Sequence, residues 1–77
     1  MDEQQAMREA IALNHGITLY ETYPEAKVAA MLRKDHSTLK RWRRKGLVPY
    51  IALGGRDIRY FGYQIADMLM KGVKEDG

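Results

Sequence analysis

The stretch Val28-Ala-Ala-Met-Leu-Arg-Lys-Asp-His-Ser-Thr-Leu-Lys-Arg-Trp-Arg-Arg-Lys-Gly46 leaves the chain few ways to fold. Val28, Ala29, Met31 and Leu32 fall on one helical face, Arg33-Lys34 interrupts it, and Leu39 and Trp42 resume it at helical spacing. Neither segment is long enough to be a stable helix alone, so each must bury its apolar side against the other and against a shared core. The pattern predicts two short helices joined by a tight turn at Arg33-Lys34. Asp35 is the expected N-cap of the second helix, with Ser37 as a second candidate. Gly46 ends that helix.

The flanking residues extend this unit on both sides. Residues 3–14 carry Ala6, Met7, Ala10 and Ile11 at helical spacing, and His15-Gly16 supplies the stop. Ile17-Thr-Leu-Tyr20 alternates as a short strand or an extended connector. Thr22 and Glu25 have capping-box spacing and place the next helix start near Pro24. Beyond Gly46, Tyr50-Ile-Ala-Leu53 and Asp57-Ile-Arg-Tyr-Phe61 flank Gly54-Gly55-Arg56, the pattern of a β-hairpin. Tyr63 to Lys71 reads as a final helix with Ile65, Met68 and Leu69 inward. The expected organisation is an N-terminal amphipathic helix over 1–16, a main domain over 17–72 and a flexible tail over 73–77.

Charge separates the chain into zones. Residues 27–59 hold ten of the thirteen Lys and Arg but only two acids, Asp35 and Asp57. Residues 1–26 hold five acids and one base, Arg8. The net charge of +3 hides this segregation, which predicts a basic face suited to a polyanion. Seventy-seven residues support one core, and the absence of cysteine excludes disulfides and thiolate metal sites. No apolar run has membrane-span length, and the acidic start Met1-Asp-Glu-Gln-Gln is unlike a signal peptide, so a cytoplasmic, nucleoid-associated protein of a bacterium or phage is expected. No HExxH spacing or phosphate loop is present, and His15 and His36 lack metal-ligand patterning. Asp57 and Asp67 are isolated acids. No enzyme activity, cofactor or metal is therefore expected.

From Lys27 to about Leu69 the chain resembles the small excisionase-like DNA-binding domains, which are related to the DNA-binding head of mercury-resistance-type (MerR-type) regulators. The resemblance is carried by Val28 to Leu32, Ser37 to Trp42, Lys45-Gly-Leu-Val-Pro49, Gly54-Gly-Arg56 and Ile58 to Phe61, in order. It implies an α+β, mostly α fold: a winged helix-turn-helix with a two-stranded β-hairpin wing and an extra N-terminal helix. Two positions depart from the family pattern. Arg33 stands where a glycine is usual, at a cost of about 1–2 kcal/mol if its conformation is left-handed. Lys34 stands where an apolar residue is usual. MerR-type regulators continue into a long dimerisation helix and an effector domain that these 77 residues do not contain, so no small-molecule effector is expected.

The second helix and the hairpin supply the expected DNA contacts. His36, Ser37 and Thr38 sit at a helix N-terminus, where free N–H groups suit a phosphate, although Ser37 and Thr38 equally suit capping. Lys40 and Arg41 are the expected base-reading residues in a major groove. Arg43, Arg44 and Lys45 are expected on phosphates, or simply solvated. Arg56 at the hairpin tip and Arg59 on its return strand are expected near a minor groove. Trp42 reads as core, and Tyr50 and Tyr60 as cover for the small sheet. The expected function is sequence-specific double-stranded-DNA binding. An excisionase, or recombination directionality factor, would bend DNA beside an integrase or other recombinase. A small prophage-type transcriptional regulator is the alternative, and a protein-binding adaptor using the basic face is an alternative of another class. Such a small module would gain affinity by cooperative self-association on adjacent sites, the acidic first helix of one copy meeting the basic face of the next.

Overall fold

The computed structural model describes residues 2–75. The chain runs α1 (Glu3–His15), β1 (Thr22–Pro24), α2 (Glu25–Leu32), α3 (His36–Arg44), β2 (Ile51–Leu53), β3 (Asp57–Phe61) and α4 (Gly62–Lys71). The result is a small α+β fold of four helices and a three-stranded antiparallel sheet ordered β1-β3-β2.

α1 opens on Asp2, whose side chain accepts a 2.6 Å hydrogen bond from the Gln5 N–H. It closes on Gly16 at φ 65°, a left-handed cap that costs glycine nothing. The helix lies against α4: Ala12 is buried and Arg8 reaches Asp67 at 2.9 Å. The N-terminal helix thus shares the core of the remainder. After Gly16 the chain crosses the start of α4 at very close range. A Cβ built on Gly62 would lie 2.0 Å from the Thr18 carbonyl oxygen, so only glycine fits there.

Of the two readings of Ile17–Tyr20, strand or extended connector, the connector is the one seen; the strand lies at Thr22–Pro24 and pairs with β3 in the register Thr22↔Phe61, Tyr23↔Tyr60, Pro24↔Arg59. The expected two-stranded hairpin is therefore part of a three-stranded sheet with β3 at its centre. Proline is tolerated because β1 is an edge strand. The β2–β3 hairpin pairs Ile51↔Arg59, Ala52↔Ile58 and Leu53↔Asp57 around Gly54 and Gly55, both at positive φ.

The anticipated capping box at Thr22 and Glu25 does not form. Pro24 occupies the N-cap of α2 without a side-chain bond, the Thr22 hydroxyl accepts from Arg59 at 2.8 Å, and Glu25 turns into the core. α2 closes at Arg33, which adopts φ 57°, ψ 41° and is the one non-glycine residue at positive φ among those described. The Lys34 N–H donates to the Ala29 carbonyl at 2.9 Å, completing a glycine-type helix stop on an arginine. Asp35 takes the N-cap position of α3 but contributes only its backbone carbonyl. Val28, Leu39, Tyr60 and Ile65 are the largest fully buried side chains, one each from α2, α3, β3 and α4, and Trp42, Met68 and Val48 close around them. Gly72 leads the chain out of α4, and Val73 packs back on this core. Residues 73–75 of the expected flexible tail are thus folded against the body, while Asp76 and Gly77 lie outside the described residues.

Candidate functional site

α3 has a sharply divided surface. Leu39 and Trp42 face the core, and Ser37, Lys40, Arg41, Arg44 and Lys45 are exposed on the opposite side. The division follows from the sequence spacing: with the two apolar anchors fixed, the intervening cations can only point outward. His36 is also exposed at the helix start, whereas Thr38 is half-buried. On the side nearer the β2–β3 hairpin, α3 and the hairpin tip enclose an open groove of about 510 Å³. His36, Lys40, Arg43 and Arg44 line one wall, Arg56 and Asp57 the other, and Pro24, Glu25 and Ala26 the floor.

Beneath that groove the cation Arg43 is already engaged. Glu25 is only 6% exposed and accepts from Arg43 Nε at 2.7 Å, from Arg43 Nη2 at 3.3 Å and from the Tyr60 hydroxyl at 2.6 Å. His36 Nε2 lies 3.2 Å from the same carboxylate. Burial pushes the Glu25 carboxyl up, but the hydrogen bonds from Arg43, Tyr60 and His36, with the Arg43 charge, outweigh it and hold Glu25 below the ordinary carboxylate range. Burial first, and then the bond to Glu25, push the Tyr60 phenol up, so it remains a donor. The bond to Glu25 likewise raises Arg43. Arg43 also lies over the Tyr50 ring at 5.5 Å. Arg43, expected on a phosphate or simply solvated, thus has its charge matched inside the fold by Glu25.

Arg59 is tied down in the same manner. Its Nε and Nη2 donate to the Thr22 hydroxyl and carbonyl at 2.8 and 3.1 Å, and Nη1 stands 3.6 Å from Asp57. It braces β3 against β1 on the sheet rather than extending from the hairpin tip. Lys40, Arg44 and Arg56 are exposed and make no ion pair with any described residue.

The other flank of α3 is covered. Glu75 Oε1 accepts from Arg41 Nε at 2.6 Å, and Oε2 accepts from Arg41 Nη2 at 3.1 Å and from the Trp42 indole Nε1 at 2.6 Å. Lys45 Nζ is 3.6 Å from Oε1. The Arg41 hydrogen bonds, followed by that of Trp42, hold the Glu75 carboxyl down to about 2. The ten expected contact residues thus divide by position. Ser37, Lys40, Arg44 and Arg56 are open to solvent, His36 is exposed but lies 3.2 Å from Glu25, Thr38 is half-buried, Arg41 and Lys45 are paired with Glu75, and Arg43 and Arg59 are bound within the fold.

Glu25 and Glu75 are the residues that sequence reasoning missed. Glu25 carries the signature of a helix-start acid, and its distinguishing signal, a half-buried arginine and a buried tyrosine pointing at it from α3 and β3, exists only after packing. Glu75 sits in a segment with no periodicity. Among the described residues no helix is long and apolar enough to cross a membrane. Nor do three His, Asp or Glu side chains converge on a metal position. No family model, curated protein or solved structure matches this chain.

Proposed function

We propose that this protein binds double-stranded DNA, with α3 in the major groove and the β2–β3 hairpin against the adjacent backbone or minor groove. In this reading α2 and α3 are the two helices of a winged helix-turn-helix, and the hairpin is its wing. The observation that carries the proposal is the open groove between α3 and the hairpin tip. It is flanked by the exposed cations Lys40, Arg44 and Arg56, while the acid beneath it, Glu25, is neutralised by Arg43. A helix about 10–12 Å wide fits a B-DNA major groove about 12 Å across. The hairpin beside it would take a second stretch of backbone, which fixes register. Lys40 and Arg44 lie within one turn of each other on the exposed side of α3 and are the residues assigned to base edges and phosphates; Arg56 is assigned to the narrower groove.

Within this class, an excisionase-type role in site-specific recombination, organising DNA by binding in several copies, is the reading that the sequence resemblance favours. The same surface would serve a small transcriptional regulator, and footprints beside a recombination core or over a promoter separate the two roles.

Fluorescence anisotropy with a duplex at rising salt tests DNA binding. With Lys40, Arg44 and Arg56 as the open cations, the log–log salt slope is expected near about −3. The double variant Lys40→Glu/Arg44→Glu is expected to lower affinity at least about 100-fold with an unchanged circular dichroism spectrum. Duplex affinity that survives this change, or no duplex binding at low salt, removes the proposal and favours a basic surface for an acidic protein.

A further inference from the structure

The donors on the outer flank of α3 converge as they would on an oxyanion. Arg41 presents Nε and Nη2 side by side, the Trp42 indole N–H points at the same place, and Lys45 stands at its edge. A planar arginine fork with two further donors matches two oxygens of a phosphate as well as the two of a carboxylate. The occupant in the structure is the Glu75 carboxylate, carried back across the base of α3 by the turn at Gly72 and the packing of Val73. Two side-chain facts mark this as a site rather than an incidental surface pair. All four donor contacts fall on one carboxylate, and that carboxylate is only 25% exposed. Arg41 lies on α3 with Lys40 and Arg44, and Lys45 caps its end, so a DNA backbone following α3 would pass both sets of cations.

We infer that Arg41, Trp42 and Lys45 form a second phosphate site for duplex DNA, which Glu75 closes in cis and which opens when a backbone phosphate takes the carboxylate's place. This inference rests on the DNA-binding reading of the α3–hairpin groove and adds a regulatory step to it. With Glu75 in place one of the flank's two positive charges is cancelled and the arginine fork is occupied, so nonspecific duplex is held mainly by the groove cations. A duplex whose path along α3 brings a phosphate to the fork gains further contacts at the cost of one internal ion pair. The device therefore favours DNA of a particular curvature over DNA that merely carries charge. Glu75 also keeps a strongly basic helix from binding polyanions indiscriminately.

The experiment compares the full chain with Glu75→Gln and with Glu3→Gln, which removes an equal charge from the start of α1. Anisotropy with a short duplex is measured across a salt series. Glu75→Gln is expected to tighten binding about 3- to 10-fold and to steepen the salt slope by about 1–2, because Arg41 and Lys45 become available to phosphates. Glu3→Gln is expected to stay within about twofold of the parent. Superimposable curves for Glu75→Gln and the parent overturn the inference.

The second measurement uses no DNA. Trp42 is the chain's one tryptophan, and its indole N–H lies in the site, so its emission reports occupancy directly. Inorganic phosphate at constant ionic strength is expected to shift Trp42 emission in Glu75→Gln but not in the parent. If no variant binds duplex, the DNA-binding reading falls and this titration decides the site alone: a phosphate response in Glu75→Gln upholds an oxyanion site, and no response overturns it.

Discussion

Arg33 illustrates how a single residue can carry a cost that its neighbours absorb. It is held at φ 57°, ψ 41° because the Lys34 N–H must reach the Ala29 carbonyl for α3 to pack on α2. For an L-residue this conformation costs about 1–2 kcal/mol, which the packing of Val28 against Leu39 and Tyr60 offsets. Glycine would remove the steric penalty but add conformational entropy to the unfolded chain, at about 0.5–1 kcal/mol. Arg33→Gly is therefore expected to stabilise the protein by about 0.5–1 kcal/mol and to raise Tm by about 2–8 °C in calorimetry. A lower Tm would mean that the Arg33 side chain supplies more than its backbone costs. The position itself was legible in the sequence, since Arg33-Lys34 interrupts the helical spacing of apolar residues between Leu32 and Leu39.

At the scale of elements, Glu25 joins three of them. One carboxylate at the start of α2 binds Arg43 and His36 of α3 and Tyr60 of β3, so the angle between the two helices and the sheet depends on it. Removing one partner of a buried ion pair leaves the other charge unmatched, which typically costs about 3–5 kcal/mol. Glu25→Ala is expected to lose that much in urea unfolding, against a total of about 4–12 kcal/mol for a chain this size. Tyr60→Phe keeps the ring and removes one donor, so it is expected to lose only about 1–2 kcal/mol. Equal losses in the two variants would show that the ring, not the carboxylate, organises the junction. None of this was visible in the sequence: Thr22 and Glu25 have capping-box spacing, and the hydrogen bonds that would have made the box went to Arg59 and Arg43 instead.

For the whole molecule, two depressed carboxyls couple folding to pH. Glu25 lies below the ordinary value of 4.5 and Glu75 at about 2. A carboxyl whose value is lower in the folded state contributes stability that is complete above its unfolded value and lost as pH falls towards the folded one. The thermal midpoint is therefore expected to fall progressively as pH is lowered from about 5 to about 2. Glu75→Gln should flatten that decline across the window, and Glu25→Gln should flatten it below the ordinary carboxylate value. A midpoint independent of pH in this window would show that neither carboxylate is ionised in its site.

The helices, the hairpin and the basic character of α3 follow from the chain's local pattern, because each rests on spacing within a few residues: Leu39 and Trp42 facing one way, cations the other, Gly54-Gly55 at the turn. The third strand does not, since Thr22–Pro24 is a strand only through pairing with Tyr60 and its neighbours more than thirty residues away. The same applies to the cations. Sequence placed ten residues in one contact set, but whether a cation is open, as Lys40, Arg44 and Arg56 are, or matched, as Arg41, Arg43 and Arg59 are, depends on partners that folding brings from distant segments. Charge is a property of the residue, whereas availability of that charge is a property of its neighbours in space.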